Sequence, residues 1–486
     1  MVSIEALSGL RALVVGLGRE GIALAGYLAG HGLAVTGTDQ QPAETFGDNL
    51  AALQVAGVHL TLGEHPLSLL DNTDILFVSP GIPLEVPFLV EAQARKIPLC
   101  TETKLFCLLC RAPIIGITGS NGKTTTTTLV GQILAADGRK AWVGGNIGRP
   151  LIERVDQIEA DEVVVMELSS FQLEYFHSKL NQAVDVTTIP NVQPEILTEL
   201  LGNWSPPISA ILNITPNHLD RHPTMKHYVR AKRAIINYQG PQGRLIMNLD
   251  NDMTRTIGHQ FGAKTRWFSL EAQLPGGASL TRKNLVLNDW DGQHHHLATI
   301  AEIKLRGNHN LSNILAACLL CEQLGVSHEA MHKVITSFTG VEHRLQFVRE
   351  LNQVKYYNDS IATSPERLFA ALRSFRETVV LLAGGHDKNL PWEDVSRMIL
   401  HKASHVILFG EAAQLIASHV EAANEEMPNL NTTVHFCQSL ADAVQLAAQV
   451  AQAGDVVLLS PGCASYDMFR DFVERGELFI SLVKAL

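Results

Sequence analysis

Apolar, strand-like runs alternate with helix-like segments along the whole chain, and most of the runs end in glycine or polar residues. Short β-branched runs such as RALVV, IIGIT and VVVME are typical of strands that are buried on both faces of a parallel sheet. This alternation predicts an α/β fold. Because ligands bind at the carboxyl ends of parallel strands, the turns after these runs are where we expect chemistry.

The same alternation divides the chain into three predicted α/β domains. We predict a Rossmann-like domain at residues 1–110, a central P-loop ATPase-like domain with a mainly parallel sheet at residues 111–340, and a C-terminal Rossmann-like domain at residues 341–486. The total of 486 residues is enough for several domains of ordinary size.

The turn after the strand IIGIT has the composition of a phosphate-binding loop. Its sequence TGSNGKT, residues 118–124, leads into a helix predicted to run to about Ala136. Glycines let backbone N–H groups approach a polyphosphate, the lysine adds positive charge, and the following hydroxyl can hold Mg²⁺. The loop is a variant, because the commoner spacing requires glycine where this chain has Ile117. The alternative is an ordinary Gly-rich turn between a strand and a helix.

A second Gly-rich turn lies near the start of the chain. The run Gly16-Leu17-Gly18-Arg19-Glu20-Gly21, followed about 20 residues later by Asp39, matches a dinucleotide-binding fingerprint. It fits an NAD-dependent oxidoreductase, a site for a nucleotide-linked substrate, or a tightly packed turn without a ligand. Because the chain also has the phosphate loop, a nucleotide-linked substrate competes well with NAD.

Two strand ends in the central domain carry candidate metal ligands. Glu167 ends the run VVVME, and His218 follows the run AILNI. Strands of a parallel sheet end at one edge, so both side chains can meet Mg²⁺ beside a nucleotide; the alternatives are a capping glutamate and a structural histidine. Asn310 and Asn313 share one helix face, which suits either a base or ribose contact or N-terminal capping.

Predicted strands of the C-terminal domain also end in polar or Gly-rich turns. The segments NDSIATSPE, GGHDK and SPGCASYD place Asp359, Lys388 and Ser465 in such turns. We therefore expect one edge of this sheet to be a ligand face built from loops.

Composition narrows the classes of function. The formal net charge of −11 argues against broad nucleic-acid binding, which depends on Lys and Arg. We expect no signal peptide and no membrane span, and seven scattered cysteines suit a reducing cytoplasm. The C-x-x-C pairs Cys107/Cys110 and Cys318/Cys321 lie in apolar helical runs, so we expect buried thiols rather than zinc ligands. The run 294–296, three histidines, is expected at a solvated strand end.

The order of the motifs along the chain resembles that of the Mur ligase family. The motifs are TGSNGKTT, GGNIG, ELSSFQLE, NHLDRH, the Y-x-x-x-K of Tyr228 and Lys232, GNHN, NDSIATSPE, GGHDK and LLSPGCAS. They cover nearly the whole chain and are most similar to members that add D-glutamate. The resemblance implies an ATP-dependent amide ligase that joins D-glutamate to UDP-N-acetylmuramoyl-L-alanine through an acyl phosphate, a cytoplasmic step of peptidoglycan precursor synthesis. It also implies ATP and Mg²⁺ as cofactors and a monomer without nucleic-acid or membrane partners.

The resemblance further implies roles for individual residues. Catalytic roles fall on Lys123, Glu167, His218 and Lys232, and metal ligation falls on Thr124, Glu167, His218 and Lys232, the last as a carbamate. ATP contacts are implied for Gly119, Ser120, Asn121, Gly122, Lys123, Thr124, Thr125, Thr126, Asn310, Asn313, Arg344 and Asp359. UDP-substrate contacts are implied for Gly18, Arg19, Asp39, Ser79, Gly81 and Asn146. Contacts with the incoming amino acid are implied for Thr363, Lys388, Ser465, Tyr466 and Phe472.

Some positions depart from the family pattern. The stretch between Glu167 and His218 is longer than expected, and we interpret its Pro-rich part, near residues 185–207, as a surface insertion. Ile361 stands where some members have lysine, so no role is carried over to it. The open alternatives are a related ligase for another amino acid, L-glutamate included, an NAD-dependent oxidoreductase, and a nucleotide-binding scaffold without activity. We also expect the C-terminal domain to close about a hinge near residues 338–344.

Overall fold

Strands and helices alternate along the chain, as the pattern of buried runs predicts, and the strands form three sheets. The computed structural model describes residues 2–47, 49–217, 221–289, 291–305, 307–387, 390–427 and 432–486. Two compact units divide the chain, Met1–Phe338 with the first two sheets and Thr339–Leu486 with the third. The predicted fold class is confirmed, whereas the domain boundaries at 110/111 and 340/341 stay predictions. No helix in the described ranges is long and apolar enough to cross a membrane.

The first sheet is parallel and carries the Gly-rich turn of the fingerprint. Its strands are β1 (Arg11–Val15), β2 (Ala34–Asp39), β3 (His59–Leu62), β4 (Ile75–Val78) and β5 (Leu99–Cys100). The described strands have the order β3-β2-β1-β4-β5. The helices of this part are α1 (Arg19–Gly30), α2 (Asn49–Val55), α3 (Pro87–Ala94) and α4 (Glu102–Leu109). Strands β1 and β4 are central and almost wholly apolar, which is why they are buried.

The second sheet carries the phosphate loop near its centre. Its strands are β6 (Ile114–Thr118), β7 (Ala141–Gly145), β8 (Val163–Glu167), β9 (Ile208–Ile211), β10 (Arg244–Asn248), β11 (Thr265–Ser269), β12 (Gly277–Thr281), β13 (Asn284–Asn288) and β14 (His294–Thr299). Their order is β14-β13-β12-β11-β10-β9-β6-β8-β7, parallel except for the hairpins from β12 to β14. The helices are α5 (Lys123–Ala136), α6 (Ser170–Glu174), α7 (Pro194–Leu201), α8 (Met225–Asn237), α9 (Asp252–His259), α10 (Asn308–Glu322) and α11 (His328–Ser337).

The third sheet forms the C-terminal unit. Its strands are β15 (Gln346–Leu351), β16 (Val354–Asn358), β17 (Val379–Gly384), β18 (Ala403–Phe409), β19 (Thr433–Phe436) and β20 (Val456–Gly462). The order is β15-β16-β20-β17-β18-β19, with only the β15–β16 pair antiparallel among the described strands. The helices are α12 (Pro365–Arg373), α13 (Glu393–Lys402), α14 (Ala413–Glu426), α15 (Leu440–Val450) and α16 (Phe472–Ala485).

The Pro-rich stretch near residues 185–207 packs against the first sheet, which corrects its interpretation as a surface insertion. Its helix α7 buries Leu197, Leu200 and Leu201 and packs against α4 and β5. Lys104 Nζ on α4 donates a hydrogen bond to the carbonyl of Gly202 at 2.7 Å. The interpretation rested on the prolines, of which only Pro190 and Pro207 are exposed, whereas the leucines recur at helical spacing and form one buried face.

The cysteines and the histidine run lie where the patterns predict. Cys107, Cys318 and Cys321 are buried and Cys110 is partly buried, and burial raises the pKa of the Cys318 thiol to about 12. The run 294–296 begins strand β14, next to a turn, with the first and third histidines exposed.

Candidate functional site

The phosphate loop joins β6 to α5 and is in contact with the start of α10. Gly122 has φ of +85°, a backbone conformation that residues other than glycine rarely adopt. A Cβ atom there would lie 2.2 Å from Asn313 Oδ1, so glycine is needed for this close approach as well. Asn313 Nδ2 donates to Asn310 Oδ1 at 3.2 Å. The two asparagines predicted to contact a nucleotide are therefore adjacent, and Asn313 lies against the loop.

A carboxylate, a hydroxyl and an amide meet at the carboxyl ends of β7 and β8. Glu167 is only 2% exposed, and its Oε2 accepts a hydrogen bond from Thr124 Oγ1 at 2.8 Å. Its Oε1 accepts from Asn146 Nδ2 at 3.1 Å. Asn146, which we predicted at the UDP substrate, thus lies beside Glu167. Carboxylate and hydroxyl oxygens are donors that Mg²⁺ prefers, so Glu167 and Thr124 are suited to hold that ion.

Lys232, which belongs to α8, lies under the phosphate loop. It is 1% exposed, and its Nζ donates to Gly119 O at 2.9 Å and to Thr118 Oγ1 at 3.3 Å. Lys123 Nζ donates to the same Gly119 carbonyl at 3.1 Å. Burial, and then the charge of Lys123, lower the pKa of Lys232 well below its ordinary value, against the opposing effect of Glu167. The shift favours the neutral amine, the form that reacts with CO₂ to give a carbamate.

The loop is held by side chains from neighbouring strands and helices. Asn213, after β9, accepts from Asn121 N at 2.8 Å and donates from Nδ2 to Asn121 O at 3.0 Å. Ser120 Oγ lies 3.0 Å from Tyr228 OH. Sequence reasoning missed Asn213, although its position directly after a buried run at the same sheet edge was an available signal.

Helix α5 begins inside the predicted ATP-binding segment. Thr126 is buried, and its N–H donates to Gly122 O at 3.0 Å. The N–H of Thr126 is thus bonded within the helix and its side chain is buried. Thr126 is therefore less accessible to a nucleotide than Thr124 and Thr125, which are partly exposed.

The Gly-rich turn of the first sheet opens into a cavity of about 310 Å³. Four residues predicted for the UDP substrate line it, namely Gly18, Asp39, Ser79 and Gly81, and so do His65 and Phe88, which sequence reasoning missed. Asp39 Oδ2 accepts a hydrogen bond from Leu17 N at 2.6 Å, which fixes the turn. Arg19 is exposed at the first position of α1.

A buried polar cluster links this turn to the helix that follows Glu167. Gln172 Nε2 on α6 donates to Glu20 Oε1 at 3.0 Å and to Thr103 Oγ1 at 3.1 Å. Burial, and then the nearby Glu20, raise the pKa of Glu102 to about 8. The fingerprint turn and the Glu167 region are therefore joined by direct hydrogen bonds within one unit.

In the C-terminal unit, the predicted nucleotide residues Arg344 and Asp359 lie close to each other. Asp359 is buried, and its Oδ1 accepts from Leu345 N at 3.1 Å while its Oδ2 accepts from Ser460 Oγ at 2.8 Å. Burial raises the pKa of Asp359 to about 7, although these hydrogen bonds and the charge of Arg344 favour its ionised form.

The described residues among those predicted for the amino acid lie on loops after β16 and β20 and at the start of α16. Ser465 is buried whereas Tyr466 is 73% exposed. Ser360 Oγ, next to Asp359, donates to Phe472 O at 2.7 Å. Thr363 is partly exposed in the loop after β16. Two further predicted residues, His218 and Lys388, lie outside the described residues.

Profiles of known protein families match three parts of the chain. The Mur ligase MurD-like N-terminal domain matches residues 10–101, the Mur ligase middle domain matches residues 117–199 and 195–321, and the Mur ligase glutamate ligase domain matches residues 343–463. Among solved structures, a UDP-N-acetylmuramate-alanine ligase from Thermotoga maritima is 16% identical with a TM-score of 0.54, over 98% of this chain and 99% of that one. At this identity the likeness concerns the fold alone.

Relatives of known name match nearly the full length. The UDP-N-acetylmuramoylalanine–D-glutamate ligase of Symbiobacterium thermophilum is 42% identical, over 98% of both chains. The ligase of the same name from Clostridium tetani is 36% identical, over 97% of this chain and 96% of its own. With this identity along nearly all of its length, and with all three domain profiles matched in order, the chain belongs to the Mur ligase family.

Proposed function

We propose that the protein is an ATP-dependent ligase that joins D-glutamate to UDP-N-acetylmuramoyl-L-alanine, in the cytoplasmic synthesis of peptidoglycan precursors. Relatives that carry this activity in their names are 36% and 42% identical over nearly the whole chain. The observation that carries the proposal is the arrangement of Thr124, Glu167 and Lys232 around one phosphate loop.

The chemistry requires activation of a carboxylate. A carboxylate is a poor electrophile, so the γ-phosphate of ATP is first transferred to it to give an acyl phosphate. The amino group of D-glutamate attacks the acyl carbon, and the tetrahedral intermediate then expels inorganic phosphate. Positioning and stabilisation of negative charge supply most of the catalysis. The loop N–H groups and the Lys123 ammonium hold the ATP phosphates for this transfer.

Magnesium fits the oxygen donors beside the loop. Thr124 Oγ1 and the Glu167 carboxylate, 2.8 Å apart, would hold one ion, with His218 as a further ligand. Lys232, as a carbamate, would hold a second. Bound Mg²⁺ neutralises charge on the transferred phosphoryl group and the substrate carboxylate. The buried, pKa-lowered amine of Lys232 is the state from which a carbamate can form.

The remaining site residues divide among the three substrates. Asp39, Ser79 and Gly81, in the cavity of about 310 Å³, bind the UDP part of one substrate, while Arg344 and Asp359 bind ATP. Ser465 and Phe472, with Thr363 and Lys388, bind D-glutamate. An NAD-dependent oxidoreductase would use the cavity, but that activity would give no role to Thr124, Glu167 and Lys232.

The decisive test is dependence of ADP formation on every substrate. Purified protein with Mg²⁺ and ATP should release ADP only when UDP-N-acetylmuramoyl-L-alanine and D-glutamate are both present. Lys123→Ala should lose this activity, whereas Lys226→Ala, an exposed lysine on α8, should keep it. If the full mixture releases no more ADP than ATP alone, the proposal is wrong. Binding of NADH in place of the UDP substrate would favour the oxidoreductase.

A further inference from the structure

Arg475 is a fully buried cation that the proposed mechanism does not use. It lies in the first turn of α16 and has 0% of its surface exposed. Its Nε donates to Ser360 Oγ at 3.0 Å, and its Nη2 donates to Ser360 O at 2.9 Å and to Cys463 O at 3.2 Å. Its Nη1 donates to Ala464 O at 3.2 Å. One guanidinium thus joins the loop after β16 to the loop after β20.

These two loops carry the residues proposed for the substrates. Ser360 is next to Asp359, and Ala464 is next to Ser465. Ser360 Oγ also donates to Phe472 O at 2.7 Å, so the start of α16 is tied to the same point. The Ala464 carbonyl accepts from His386 N at 2.9 Å, which adds the loop after β17. The guanidinium therefore bonds directly to the loops after β16 and β20 and shares the Ala464 carbonyl with the loop after β17.

The partners of Arg475 are unusual for a buried cation because they are all neutral. Among the described residues no carboxylate forms an ion pair with it, and Asp467 acts on it only at longer range. Burial lowers the pKa of Arg475 to about 10, so the group stays charged at neutral pH. Burying a charge without a counter-ion costs stability. The planar guanidinium of arginine can bond several carbonyls in fixed directions. Lysine cannot reproduce this set of hydrogen bonds.

We propose that Arg475 is a positioning residue that holds the loops after β16 and β20 at the separation that D-glutamate binding requires. The inference rests on the proposed function and deepens it at the amino-acid site. Arg475 does not touch the reacting atoms; it acts through Ser360, Cys463 and Ala464. Its loss should therefore weaken binding of the amino acid and leave phosphorylation of the other substrate nearly unchanged.

The test uses the full-length enzyme with two variants and one matched control. Arg475→Lys keeps the charge but loses the planar guanidinium, and Ser360→Ala removes a single partner. Arg349→Lys is the control, because Arg349 Nη1 likewise donates to two carbonyls of α16, those of Val483 and Lys484, at 3.2 and 3.1 Å. The measured quantities are the KM for each substrate, the rate of acyl phosphate formation trapped with hydroxylamine, and the thermal midpoint.

For Arg475→Lys we expect the KM for D-glutamate to rise at least about tenfold, equivalent to about 1.4 kcal/mol. The KM for ATP and the hydroxylamine-trapped rate should stay near wild type. Ser360→Ala should shift the same KM in the same direction by less, and Arg349→Lys should not shift it.

Two outcomes would overturn the role of Arg475. One is an unchanged KM for D-glutamate in Arg475→Lys; the other is an equal loss in the trapped and complete reactions with a lowered thermal midpoint, which means a structural role only. Should Arg475→Lys fail to fold, an unchanged KM in Ser360→Ala overturns it as well. Wild-type enzyme that forms no ADP with D-glutamate would instead contradict the proposed function.

Discussion

At the scale of single residues, burial decides what the charged groups of the site can do. Lys232 and Asp359 have ordinary side chains, yet burial lowers the pKa of Lys232 and raises that of Asp359 to about 7. Both shifts favour the neutral form, because a charge is poorly solvated inside a protein. In each case the neutral form has a chemical consequence that can be measured.

Lys232→Ala should lower ADP formation at least about 100-fold, the usual effect of removing one electrostatic group from an active site. Because the proposed carbamate is a carboxylate-like anion, acetate or another short carboxylic acid should restore part of the activity by occupying the space left by the side chain. Steady-state rates with increasing acetate test this, with Lys226→Ala as the control. Near-normal activity of Lys232→Ala would exclude the role.

Asp359 should make folding less favourable as pH rises. Its folded pKa of about 7 exceeds the ordinary value of 3.8, so the folded state holds a proton that the unfolded state has released between these pH values. The free energy of unfolding contributed by this group is thus fully present below about pH 4 and is lost as pH rises through about 7. Asp359→Asn should remove this loss, whereas the exposed Asp394→Asn should not.

Denaturant unfolding of the three proteins between pH 4 and 8 measures the effect. A difference between wild type and Asp359→Asn that does not change with pH would mean that the carboxyl is ionised throughout the range.

The chemistry of the central residues could be predicted from sequence, but their contacts could not. TGSNGKT and the position of Glu167 after a buried run predict a phosphate loop and a carboxylate at one sheet edge. The hydrogen bonds from Asn146 to Glu167 and from Asn213 to the loop join residues far apart in sequence. Such contacts depend on strand order, which periodicity alone does not give.

At the scale of elements, residues of the candidate site lie at the carboxyl ends of parallel strands, as the α/β pattern predicts. Strands β6, β7, β8 and β9 are neighbours, so the polar residues after them meet although they are distant along the chain. Helix α7 was the element least accessible to sequence reasoning. The prolines of the stretch suggested a surface insertion, whereas the buried leucines of α7 and its contacts with α4 and β5 make it part of the core.

Replacing a buried leucine of α7 with alanine should therefore destabilise the protein. Leu200 is fully buried, and replacing a buried leucine with alanine costs about 2–5 kcal/mol through lost burial and the cavity left behind. Leu200→Ala should lower the thermal midpoint clearly, while Glu195→Ala, on the exposed face of the same helix, should leave it nearly unchanged. Equal midpoints for the two variants would mean that α7 is a surface insertion after all.

At the scale of the whole molecule, the division between the two units falls between Phe338 and Thr339. This point lies inside the range expected for a hinge. Gly340 there has φ of +125°, a conformation natural for glycine. An acyl phosphate must meet an amine with water excluded, so we expect the C-terminal unit to move during the proposed reaction.

Small-angle scattering should detect this movement. We expect the radius of gyration to fall when a non-hydrolysable ATP analogue and UDP-N-acetylmuramoyl-L-alanine are added together, because closure excludes water from the site. UDP alone serves as the control and should have little effect. Identical scattering profiles with and without both ligands would contradict closure about this hinge.

The most direct test of the proposed function is the mass of the product formed with each enantiomer of glutamate. With ATP, Mg²⁺ and UDP-N-acetylmuramoyl-L-alanine, we predict that D-glutamate gives a product heavier by one glutamyl residue, with one ADP released for each bond formed. L-glutamate should give no such product above background. A product formed equally from L-glutamate, or no product from either enantiomer, would contradict the account.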